Sequence, residues 1–136
     1  MKTRPGKASA SRRFAFSRKR GIMNIDELAQ EIRSVSDENL VQKLADLLIE
    51  WKQDQSTVED LKNKAERYIG NAWIEEDEDH RKIYQMWSSF RDKAISGIGA
   101  MTMNERLYFF GLSEQFDDRE SEENRLRIYK KLMAKP

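Results

Sequence analysis

Apolar side chains return every third or fourth position through most of this chain, and that spacing restricts it to helices packed on one another. Ile25, Leu28 and Ile32 fall on one helical face. Leu40, Leu44, Leu47, Leu48 and Trp51 carry a second stripe over three turns. Val58, Leu61, Ala65 and Ile69 form a third. Ile83, Trp87, Phe90 and Ala94 form a fourth, with Met86 beside them. Strands would alternate with period two, and no hairpin signal or internal repeat occurs. The expected fold is all-α: a small irregular antiparallel bundle of five or six helices with short connections.

Local signals divide these stripes into elements. Asn24 is placed to cap the first helix, with Asp26 and Glu27 in its opening turn. Ser36 is the expected cap of the second, which Asp54-Gln55-Ser56 ends. Ser56-Thr57-Val58-Glu59 has the form of a capping box, and so does Thr102-Met103-Asn104-Glu105. Gly70-Asn71 stops the third helix, and Trp73 and Ile74 are expected to pin the loop after it. Gly97 and Gly99 break the fourth. A fifth helix is expected through Leu107, Tyr108, Phe109, Phe110, Leu112 and Phe116, with Gly111 in its middle. Ser121 opens the last, whose apolar face is read as Leu126, Tyr129 and Met133, with Ile128 and Leu132 flanking.

Charge is distributed unevenly. Residues 1–22 carry eight Lys/Arg and no acid, leaving 17 basic against 24 acidic side chains in 23–136, a formal −7. The chain is therefore read as a disordered basic arm (1–23) and an acidic helical domain (24–136). The arm admits four readings. Met23 is the native start and the arm an extension. Alternatively, Arg12, Arg13, Arg18, Lys19 and Arg20 neutralise phosphates while Phe14 and Phe16 stack on unpaired bases, as in a nucleic-acid- or ribosome-associated protein. The Arg- and Ser-rich, acid-free composition also suits an organelle transit peptide. Last, the arm contacts an anionic membrane or the protein's own acidic body.

The residues argue against most catalysis. With no cysteine, thiolate chemistry, disulfides and zinc–thiolate sites are excluded. His80 is the only histidine. Asp77-x-x-His80 matches part of a di-iron helical motif, but that site needs a second histidine. A Ser–His–Asp triad would need the same imidazole. Glu75-Glu76-Asp77-Glu78-Asp79 could bind a divalent cation weakly, but it lacks the alternation and central glycine of an EF-hand loop and reads better as a solvated, dipole-favoured helix start. There is no phosphate-binding glycine loop. No cofactor and no metal are expected, and no stretch is long and apolar enough to span a membrane.

Binding remains. The candidate partner-binding residues are Trp73, Glu75, Glu76, Asp77, Asp79 and Phe109, an acidic and aromatic-bearing set suited to a basic protein partner. Trp73 sits in a loop. Phe109 lies among consecutive bulky residues that one helix cannot all turn inward. Arg106 is expected to pair with Asp117 or another acid. The resulting expectation is a non-enzymatic, cytoplasmic protein-interaction module, organelle-targeted instead if residues 1–22 are a transit peptide. Small bacterial immunity and regulatory proteins that cover a basic partner with acids fit that description by analogy alone.

Overall fold

The computed structural model describes residues 23–117 and 121–136. Among them the chain is helical, without strands. Its helices are α1 (Ile25–Val35), α2 (Asn39–Trp51), α3 (Val58–Asn71), α4 (Asp77–Phe90), α5 (Met103–Phe109), α6 (Ser113–Phe116) and α7 (Glu122–Lys131). A π-helical turn, Arg91–Ile95, continues α4, and a 3-10 turn, Ile98–Ala100, follows it.

Polar ties fix the directions of the first four helices. Asp26 of α1 meets Lys52 just past α2, whereas Arg33 meets Gln42 and Asp46, so α1 and α2 run antiparallel. Trp51 Nε1 donates to the Thr57 carbonyl, and Tyr68 Oη donates to the Leu40 carbonyl at 2.6 Å, so α2 and α3 do the same. His80 lies against Ile69 and Trp87 against Glu66, so α3 and α4 are antiparallel as well. α1 also packs on α4, which closes the set into a four-helix arrangement. Most of the expected stripe residues face its interior: Ile25, Leu28, Ile32, Leu44, Leu48, Trp51, Val58, Leu61, Ala65, Ile69, Ile83, Trp87, Phe90 and Ala94 are buried, whereas Leu40 and Leu47 of α2 are half-buried and Val41 and Ala45 take the inward places.

This arrangement has two unlike ends. At one, Trp51, Phe90 and the start of α1 come together, and the C-terminal segment covers them. Phe110 packs on Trp51 at 5.4 Å and on Phe90 at 5.5 Å between ring centres. At the other end lie the α1–α2 and α3–α4 connections, with no further helix over them among the described residues.

Several local expectations are corrected. The second helix begins at Asn39 with Glu38 at its cap position, while the Ser36 hydroxyl accepts from the Glu38 amide ahead of it. The third helix is capped one residue later than expected, by Thr57 with Asp60 as reciprocal partner. Ser56 instead pairs with Asp54. Asn24 gains a full capping box with Glu27, and the Thr102–Glu105 box forms as expected. Ile74 pins the loop after α3, but Trp73 does not.

The helix expected across Leu107–Phe116 divides in two, so the count reaches seven. Gly111 is not mid-helix. It takes φ +62°, the left-handed conformation that ends α5. A Cβ there would lie 2.6 Å from Asp26 Oδ2, so the Asp26–Lys52 pair fills the space above it.

α7 turns a different face inward than expected. Ile128, Lys131 and Leu132 are buried, whereas Leu126 is 48% and Met133 53% exposed. Arg106 does not pair with Asp117; its guanidinium donates to the carbonyls of Met101, Leu132 and Met133.

Candidate protein-binding surface

The end of the bundle left open by the C-terminal segment is built from two short connections, residues 36–38 and 72–76. Helix α3 stops where Ala72 turns extended, and Glu76 leads into α4. Between them Ile74 is buried and acts as the plug of the loop, while the preceding Trp73 is 85% exposed. That contrast matters because the other two indoles, Trp51 and Trp87, are sealed inside. An indole offers a large apolar face, and one left in water is the group that a partner's surface covers most profitably.

The acids follow directly. Glu75, Glu76, Asp77 and Glu78 are exposed and Asp79 is half-buried. Asp77, Glu78 and Asp79 occupy the first turn of α4, where the helix dipole favours negative charge. Glu78 pairs with Arg81 at 2.7 Å. Glu75, Glu76, Asp77 and Asp79 form no ion pair among the described residues, although acids elsewhere in the molecule find Arg33, Lys52, Lys62, Arg91 or Lys131. Sequence reasoning missed one member of this surface. Glu38, from the α1–α2 connection, brings its carboxylate to the Glu75 amide, which donates to both oxygens at 3.1–3.2 Å. Nothing in the local sequence signals a contact across 37 positions.

Two ties hold the elements beneath. His80 Nε2 lies 3.0 Å from the Ile69 carbonyl; a carbonyl only accepts, so this nitrogen carries the proton in the contact. His80 is thus a half-buried link between α3 and α4 rather than a freely solvated side chain. Further along, Glu66 accepts from both Arg91 and Trp87. Burial disfavours the Glu66 charge, but these donors outweigh it and hold the carboxyl below its ordinary range. The same pairing raises the Arg91 guanidinium further. Burial pushes the Tyr68 phenol up.

Phe109, the other expected aromatic anchor, is corrected. It is buried, because the chain turns at Gly111 and the short α5 can direct both Leu107 and Phe109 inward. Tyr108 is the exposed member of that run. The nucleic-acid candidates Arg12, Arg13, Phe14, Phe16, Arg18, Lys19 and Arg20 lie outside the described residues.

The described residues hold no group of three or more His, Cys, Asp or Glu side chains able to share a metal ion. They contain no helix long and apolar enough to cross a membrane. An open cleft lined by Gln55, Ser121, Glu123, Asn124 and Arg127 is polar. Its one cation is already engaged with the Lys52 and Asp54 carbonyls, Gln115 and Asn124. Compared with protein families, curated proteins and solved structures, the chain matches none.

Proposed function

We propose that this protein is a non-enzymatic interaction module that binds a basic protein partner through the open end of its bundle. The observation that carries this reading is Trp73, exposed in water two residues ahead of an acidic run in which four of five carboxylates have no cationic partner among the described residues. A Lys- or Arg-bearing surface would supply the missing cations and cover the indole. Arginine is the better fit, since its guanidinium both pairs with carboxylates and stacks on an aromatic face. Small acidic regulatory or immunity proteins work by this kind of complementarity, and a cytoplasmic setting suits a chain without cysteine.

The test is affinity capture with the full chain as bait, set beside Trp73→Ala and the double reversal Glu76→Lys/Asp79→Lys. A basic protein retained by the wild type should be lost by both variants. Retention by both would sink this reading. Capture of nucleic acid that survives in both variants but disappears on deletion of residues 1–22 would favour the basic arm as the functional element instead.

A further inference from the structure

We infer that Glu38 is a positioning residue for Trp73, holding the 72–76 loop in a conformation ready for binding. A loop carrying an exposed indole has little burial of its own to fix it, and an unfixed loop must be ordered at the moment of binding. Here three contacts bracket the indole. On the side before it, His80 holds the Ile69 carbonyl at the end of α3. Immediately after it, Ile74 enters the core. One residue further, the Glu75 amide is held by both oxygens of the Glu38 carboxylate. An amide at this point of an exposed loop would otherwise be open to water. A charged acceptor makes the stronger kind of hydrogen bond.

The partner chemistry follows from the same geometry. Trp73 is offered on a backbone pinned on both flanks, beside carboxylates that lack cations. The fitting ligand is an extended Arg-bearing segment, with one guanidinium over the indole and its neighbours on the acids. Glu38 acts through the loop. Glutamine keeps one acceptor oxygen of nearly the same reach but gives up the charge and the second oxygen, so it separates the hydrogen bond from the charge in part.

The experiment compares Glu38→Ala with Glu38→Gln in the full chain. It measures exchange of the Glu75 amide, the heteronuclear NOE of the assigned Trp73 indole, and binding of a hexa-arginine peptide by calorimetry. Glu38→Ala should speed Glu75 exchange about tenfold or more, lower the indole NOE and weaken peptide binding about tenfold. Glu38→Gln should fall between Glu38→Ala and the wild type in all three. Unchanged exchange and NOE in Glu38→Ala would overturn the inference. So would equal weakening of peptide binding by both variants with the indole unmoved, which would make Glu38 a charge only. The binding measurement rests on the interaction reading above; exchange and NOE do not. If the wild type ignores the peptide, that reading fails while the positioning role is still judged.

Discussion

Lys131 sets its ammonium 4.1 Å from the centre of the Trp51 ring and 2.8 Å from the Asp54 carboxylate, entirely out of water. Its remaining donors go to the Asp54 and Ser56 carbonyls. All three ammonium hydrogens are therefore satisfied, which is what makes a buried lysine tolerable. Even so, burial holds the ammonium below the ordinary lysine range despite the pull of Asp54.

Lys131→Met keeps the aliphatic stem and removes every one of these bonds. It strands the Ser56 carbonyl and takes the cation from Asp54, whose carboxylate keeps only Ser56 and whose carbonyl keeps only Arg127. We expect a loss of about 2–3 kcal/mol, below the full cost of breaking a sealed pair because Asp54 stays partly open to solvent. Urea unfolding at neutral pH measures it, and a midpoint equal to wild type would contradict the account.

Acid should weaken the same latch. The hydrogen bonds from Lys131 and Ser56 outweigh burial and hold Asp54 below its ordinary 3.8, and Glu66 sits below 4.5 for the corresponding reason with Arg91 and Trp87. In that range the unfolded chain binds more protons than the folded one. The stabilisation is complete above the ordinary values and is lost as pH falls through the lowered ones. Melting temperature should therefore drop on moving from about pH 6 to about pH 3. Asp54→Asn/Glu66→Gln should start lower and lose less over the same interval.

Gly111→Ala tests the turn. Its positive φ costs a side chain about 1–2 kcal/mol, and contact with Asp26 Oδ2 adds to this. Combining it with Asp26→Ala should return the contact part and leave the backbone part. The double mutant should thus be more stable than simple addition of the two single effects, measured as a thermodynamic cycle. Strict additivity would show that the Asp26–Lys52 pair does not press on this glycine.

The inward face of α7 is tested by a contrast. Ile128→Ala should cost about 2–4 kcal/mol, whereas Leu126→Ala should stay within about 0.5 kcal/mol. The reverse order would put the helix about half a turn away from where it lies.

That contrast shows what could be read from the sequence and what could not. The first four helices were legible because each carries one apolar stripe against charged neighbours, as in Val58, Leu61, Ala65 and Ile69. α7 carries two competing stripes, Leu126–Tyr129–Met133 and Ile128–Leu132. The choice between them is made by tertiary partners, chiefly the 52–56 loop that receives Lys131 and Arg127. A lysine gives no sequence signal that it will be buried. The split at Gly111 was hidden for a related reason: a glycine inside an apolar run reads as a costly helical residue until its backbone angle is known. Of the candidate surface, Trp73 and the acids were legible from composition and loop position. Glu38 was not, because its contact joins two connections far apart in the chain, and Phe109 was misread because its helix ends sooner than its apolar run.

The latch on Asp54 also has a temporal side. Lys131 stands 77 positions after the loop that it closes. A ribosome delivers the N-terminal helices first, so α1 to α4 can meet while the Trp51 face is still wet. Until α7 emerges, a nascent chain shows that greasy end to whatever is nearby, and chaperones or neighbouring nascent chains would find it there. Completion of this fold is thereby tied to the emergence of α7, and a chain stopped just before Ile128 would lose both the apolar cover and the latch.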